Sequence, residues 1–135
     1  MGRIEDRQNV LKVLFSSTFG VDNSEELDND FKKKLFFGIK NNQNIIDDLI
    51  KQNIKNWSFE RISRIAKCAM RIGIYEMIDG DVPVSIAVNE SVQMAKVFGS
   101  EEEANYVQAV LTSISLSYED YMKKNNLHLK KYDCI

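Results

Sequence analysis

Three adjacent glutamates, Glu101 to Glu103, one histidine, His128, and two cysteines, Cys68 and Cys134, are the side chains of this 135-residue chain best equipped to hold a metal or relay a proton. Their arrangement speaks against both. Neighbouring helical positions diverge by about 100°, so the three carboxylates do not converge on one ion, and the positive end of a helix dipole accounts for acids at a helix start. His128 falls in a polar tail, where acid-base work would lack a positioned pocket. Cys68 lies in a helical pattern and Cys134 is next to last, a spacing that suggests neither a disulfide framework nor a metal site. We read a chain with no catalytic residues, no metal and no cofactor, whose thiols fit a reducing cytoplasm.

A different chemistry is a charge placed among aliphatics. Wound as a helix, "VPVSIAVNESVQMAKVFGS", residues 82 to 100, seats Glu90 between Ile86 and Val97. Ile86 stands four residues before it and Met94 four after, so no ion pair within the helix is available. The partner must come from another helix, and Arg71 is the expected cation, pairing with Glu90 through charge-assisted hydrogen bonds. A third group is the uncharged strip Asn105, Gln108 and Thr112, donors and acceptors suited to bases or backbone.

The elements that would hold these groups are helical. Six Gly and one Pro punctuate the chain, and apolar residues recur at three- and four-residue spacing, so the expected class is all-α, about six to seven helices. Ile4, Arg7, Leu11, Leu14 and Phe15 share one side of a first helix, which Phe19 and Gly20 end. Asn23 or Ser24 caps the next. A stripe from Leu27 to about Ile54 is either one long helix or two broken near Asn41 and Asn42. Trp57 anchors a turn, and Ser58 is placed to cap a helix with Ile62, Ile65, Ala69 and Ile72 on one face. The opposite flank, Arg64, Lys67 and Arg71, reads first as a solvated face and otherwise as a surface for a polyanion or an acidic partner. "DGDVP", 79 to 83, is the clearest break. Gly99 closes the helix of Glu90, and Ser100 with Glu103 forms a capping box. Ala104, Val107, Val110, Leu111 and Ile114 face inward in the following helix. The polar runs near Lys32 and Asn41 are assigned to solvent.

The 18 Lys and Arg against 20 Asp and Glu leave a net charge of −2, so any nucleic-acid contact must be local. No stretch approaches the eighteen or so uncharged apolar residues of a membrane span, which argues for a cytoplasmic protein with no membrane contact. The length fits one domain, 1–135, divided here into helical subdomains 1–56 and 57–135.

Trp57, Arg61-Ile62, "MRIGIYEM" from Met70 to Met77, Val82-Pro83 and "AVNESVQMAKVFG" from Ala87 to Gly99 together resemble the bacterial transcription antitermination factor NusB family. The likeness is strong over 57–114 and weaker before, through Arg7 to Phe15 and Leu35 to Ile39. It implies two small helical bundles packed across each other, no enzyme activity, and binding to the boxA element of ribosomal RNA leaders together with the ribosomal protein NusE. Other antitermination factors and RNA polymerase would be indirect partners. Family members occur as monomers and dimers, and both stay open here.

Carried over by position, the resemblance gives RNA contacts at Arg3 and Arg7, a stacking ring at Phe15, and contacts from Asn105, Gln108 and Thr112; Lys12, on the same helix, is added as a further cation for phosphate. Gln108, Ala109 and Thr112 stand where the family has Asn, Gly and Asp. Glu60, with Arg64 beside it, marks the protein-partner face, while Ala66 replaces a usual acid. The segment between the first two long helices is shortened, so a small extra helix is expected to be missing. The alternative is a helical protein-interaction module of the same fold with weak or lost RNA binding.

Overall fold

A computed structural model describes residues 2–55, 58–80 and 82–127. Among them are six α-helices, two one-turn 3-10 helices and no strand, as the periodicity required. The helices are α1 (Gly2–Ser17), α2 (Asp30–Asn41), α3 (Gln43–Gln52), α4 (Arg64–Asp79), α5 (Val84–Phe98) and α6 (Glu101–Lys124). Trp57, His128 and Cys134 lie outside the described residues.

Everything packs on α4, which is buried without a break from Cys68 to Met77. Such a helix is apolar all round and needs neighbours on every side. α1 and α2 pack on each other and on α4, α3 lies between α4 and α6, and α5 and α6 associate closely with α4 and with each other. One contiguous core results, from Val10, Leu11 and Leu14 of α1 to Val107, Leu111 and Ile114 of α6.

Helix ends follow from local chemistry. The stripe from Leu27 to Ile54 is two helices, because Asn42 donates from Nδ2 to the Gly38 carbonyl at 2.7 Å and so satisfies one of the last acceptors of α2. Asn42 is buried, against the solvent position expected for it, and so is Lys32, held by Asp28 at 2.8 Å. A 3-10 turn, Ser24–Glu26, precedes α2, whose true cap is Asn29, accepting from the Lys32 N–H. α4 starts later than the sequence suggested. Ser58 opens only the 3-10 turn Phe59–Arg61, and Ser63 caps α4 by accepting from the Ala66 N–H. Gly80 ends α4 in the left-handed region at φ 79°. Ser100 accepts from the Glu103 N–H, but the Glu103 carboxylate turns away to accept from the Ser63 hydroxyl, so half of the expected box becomes a tie between the starts of α4 and α6. Finally, α6 is one continuous helix through Leu116 and Tyr121 to Lys124.

The crossing of α4 and α5 depends on Gly73. A Cβ built there would overlap Ser91 Oγ and lie 3.0 Å from Leu111 Cδ1. Ser91 is fully buried and its hydroxyl has no hydrogen-bond partner among the described residues. A helix-interior Gly→Ala ordinarily gains up to about 1 kcal/mol, whereas overpacking a core costs about 1–3 kcal/mol. Gly73→Ala is therefore expected to lower the guanidinium unfolding midpoint, Ser91→Ala to leave it level or raise it, and the double variant to recover most of the loss. A Gly73→Ala variant as stable as the parent would show that the helices are not in such close approach.

Candidate nucleic-acid interface

A buried, forked ion pair joins α1 to α4. Arg7 donates from Nε to Glu76 Oε1 at 2.8 Å and from Nη2 to Oε2 at 2.9 Å, a two-pronged pair in which each residue is 5% exposed. Burial alone would lower the Arg7 guanidinium, but its hydrogen bond and attraction to Glu76, with further attraction from Glu90 and Asp6, raise it above its ordinary value. Arg7 is thus a structural cation. Its guanidinium is enclosed by this pair, whereas the role carried over for it calls for a cation at the surface.

The Arg71–Glu90 pair does not form either. Arg71 donates to Asp47 of α3 through Nε at 2.8 Å and Nη2 at 3.0 Å. Five residues along a helix turn the direction by about 140°, so Arg71 and Glu76 leave α4 on different sides and serve α3 and α1 respectively. Glu90 lies on the α1 side, where its field reaches Arg7. Its flanks Ile86 and Val97 are 45% and 62% exposed, so the carboxylate sits in a surface apolar patch rather than between packed helices. Arg71 is buried too, so of the basic flank of α4 only Arg64, exposed, and Lys67, half-buried, reach solvent.

Arg3 remains at the surface, paired with Asp6 at 3.2 Å and lying 4.0 Å from the Phe31 ring. Lys12 is exposed and stands 5.6 Å from the ring of Phe98, beside the end of α5 and the turn that leads into α6. Phe15 is half-buried and meets Phe19 edge to face at 5.2 Å. The ring presented to solvent is Phe19, 56% exposed, which the sequence reading used only as a helix end. A large aromatic just beyond a helix terminus, with no apolar partner four residues on, was the available signal.

Asn105, Gln108 and Thr112 are exposed along α6, as their spacing predicted. They divide between two hollows. Gln108 and Thr112 edge an open groove of about 530 Å³ between α5 and α6, with Val84, Val88 and Val92 along it and Asn89 and Gln93 on the far rim. Asn105 lines a second hollow of about 470 Å³ with Arg61, Ile62, Ala66 and Tyr106. The first groove carries no charged side chain. It can donate and accept hydrogen bonds over an aliphatic surface but cannot attract phosphate at a distance. Glu60 and Arg64 are both exposed, Arg64 packing its guanidinium 4.1 Å from the Phe19 ring.

Nothing among the described residues gathers three or more His, Cys, Asp or Glu into a metal site. Glu101 pairs with Lys96 at 3.8 Å while Glu103 faces Ser63, so the acidic run diverges. The Cys68 thiol is pushed up to about 11 by burial, a setting for packing rather than reactivity. No described helix is long and apolar enough to cross a membrane.

Five helices around one buried rod, with an amide-rimmed groove and cations set apart from it, define an all-helical scaffold for recognition surfaces. The NusB family model matches residues 3–115, and the chain belongs to the NusB family. It is 30% identical over 130 residues to the transcription antitermination protein NusB of Clostridium botulinum (strain Alaska E43 / Type E3), covering 84% of this chain and 98% of that relative. To the same protein of Bacillus thuringiensis (strain Al Hakam) it is 37% identical over 104 residues, 76% of this chain and 78% of the relative. Among solved structures, T. maritima NusB matches with a TM-score of 0.79 and 28% identity, over 90% of this chain and 97% of that one. NusB from a structure of the antitermination factors NusB and NusE in complex with double-stranded RNA shares the fold, with a TM-score of 0.73 at 21% identity over 87% of this chain and all of that one (100%).

Removing one member of the Arg7–Glu76 pair strands a buried charge, at a cost of about 3–5 kcal/mol, whereas replacing both with apolar residues of similar volume is far milder. In urea titrations Glu76→Ala and Arg7→Ala should each lower stability by that order, and Arg7→Met/Glu76→Leu by much less. Equal losses in all three would mean that packing, not the uncompensated charge, sets the cost.

Proposed function

We propose that this chain is a transcription antitermination and ribosomal-RNA biogenesis factor that binds boxA-type RNA jointly with NusE and performs no catalytic step. Membership of the NusB family is the observation that carries the reading. Its relatives are transcription antitermination proteins, and a structure with the same fold holds NusB and NusE in complex with double-stranded RNA.

In this reading Arg3 and Lys12 supply phosphate contacts at α1, the Phe15–Phe19 pair supplies a ring for stacking, and Asn105, Gln108 and Thr112 meet bases or sugars along α6. Glu60 and Arg64 belong to the protein-partner face. Subdomains 1–56 and 57–135 then act as two halves of one platform. Phosphate contact supplies most of the affinity, and the burial of Arg7 leaves α1 with two cations for the task. RNA binding by the chain alone is accordingly weak, and the partner protein must contribute. Thr112 in place of an acid acts the other way, since it removes a repulsion from phosphate.

The burial of Arg7 also favours a second reading, a protein-interaction module of this fold whose RNA binding is lost. One titration separates them. Labelled boxA RNA and a scrambled sequence are titrated with the chain, with and without NusE, and with Lys12→Gln and Gln108→Ala variants. The expected result is tighter binding to boxA with NusE present, weakened several-fold by either substitution. No gain on adding NusE and no preference for boxA would favour the module.

A further inference from the structure

The face where the first turns of α4 meet the end of α3 carries the cations Lys51, Arg64 and Lys67, of which the proposed function uses only Arg64. Lys67 lies 4.5 Å and Lys51 5.0 Å from the centroid of the Phe59 ring, with Arg71 at 5.9 Å. Arg64 rests on Phe19 next to them. Arg71 is committed to Asp47, but Lys51, Arg64 and Lys67 form no ion pair with any described residue. They lie against aromatic rings, the resort of cations that lack a carboxylate.

Their position on the helix is also costly. Arg64 and Lys67 occupy the start of α4, where the helix dipole is positive and acids are favoured, and no acid stands in that turn. α6 shows the ordinary arrangement, with Glu101, Glu102 and Glu103 in its first turn. The carboxylates that face Lys67 are Asp47 and Glu60. Burial, with repulsion from Arg71 and Arg64, outweighs them and holds the Lys67 ammonium below its ordinary value. A positive helix end, three unpaired cations and two rings therefore share one face, and the helix end and the cations are stabilised by an incoming anion.

We propose that this face, with Lys51, Arg64 and Lys67 spaced by Phe19 and Phe59, binds the phosphodiester backbone of single-stranded nucleic acid as a site separate from the α5–α6 groove. Alternation of cation and ring is the reason for choosing a nucleic acid over an acidic protein. Carboxylates use the cations alone, whereas a single strand offers a base beside each phosphate, and bases stack on rings whatever their identity. The site goes beyond the boxA reading, because it needs no sequence preference and no partner protein.

Arg64 also belongs to the protein-partner face, so the test leaves it intact. The full chain is titrated into labelled oligouridylate by fluorescence anisotropy over a series of KCl concentrations, as parent, Lys51→Gln/Lys67→Gln and Lys51→Arg/Lys67→Arg, with polyglutamate as a competing probe. Each phosphate neutralised on a single strand contributes roughly 0.7 to the slope of log K against log salt, so the Gln double variant should lose about 1.4 from that slope and bind several-fold more weakly. The Arg variant should keep both, and thermal melts should be alike for all three. An unchanged slope in the Gln variant, no binding of oligouridylate by the parent, or a loss confined to polyglutamate would each overturn the proposal. None of these outcomes bears on boxA preference with NusE, which is read separately with Lys12→Gln and Gln108→Ala.

Discussion

Two forked ion pairs fix how the helices of this protein are turned about α4. A helix buried on all sides offers its neighbours mostly greasy, interchangeable surface, and such surface tolerates rotation and sliding. Arg71 and Glu76 remove that freedom. Each sits in the buried run of α4 and each has one partner, Asp47 of α3 for the first and Arg7 of α1 for the second. Because a buried charge without its partner is far more costly than an imperfect apolar contact, only one rotation of α1 and one of α3 is acceptable. The pairs need add little net stability to do this. They act by penalising the alternatives.

On its other flank α4 is positioned by shape. Gly73 allows Ser91 and Leu111 to approach, and Ala87, Ala95 and Ala104 keep the α5 and α6 contacts small, which brings three helices together at short range. Small residues lose little side-chain entropy on burial, so close contact here is gained at low entropic cost. One flank of α4 is thus specified by charge and the other by the absence of side chain. Exposed surface is left where neither applies, along Ile86 and Val97 and in the amide-rimmed groove.

The sequence made the helical class, most of the helix faces and the break at Gly80 legible, because those depend on spacing and on residues with narrow backbone preferences. Glu90 forms no ion pair with any described residue, so the expected tie to Arg71 is not made: Glu90 acts on Arg7 only through space, and Arg71 leaves α4 toward α3, a direction that spacing along the sequence does not reveal. In the structure Arg7 is buried against Glu76, and Arg71 joins Asp47 rather than Glu90. Lys32 and Asn42 were misplaced for a related reason. A polar residue is buried when a carbonyl or carboxylate happens to be near, and nothing in the neighbouring sequence records that. The strip Asn105, Gln108 and Thr112 was legible because it depends on periodicity within one helix, whereas its division between two hollows depends on what α5 and α4 place opposite.

The surfaces are held in a fixed relation by polar ties at both ends of α6. At its start the Ser63 hydroxyl donates to Glu103 while accepting from the Ala66 N–H, so the caps of α4 and α6 are one hydrogen-bonded unit. Further along, Ser113 donates to Asn53 at 2.7 Å, and the Tyr121 hydroxyl donates to Asp48 of α3; burial, together with that bond, raises Tyr121 to about 12. These bonds stop α6 from sliding against α4 and α3. The amide groove on one side of α6 and the cations on α3 and α4 are therefore presented at a set separation before anything binds. Ordering flexible segments is among the main costs of association, and a scaffold that has already met it can use contacts that are individually weak. That matters in a chain with near-balanced charge, where long-range attraction to any polyanion is small and a ligand must be held by several modest contacts made at once.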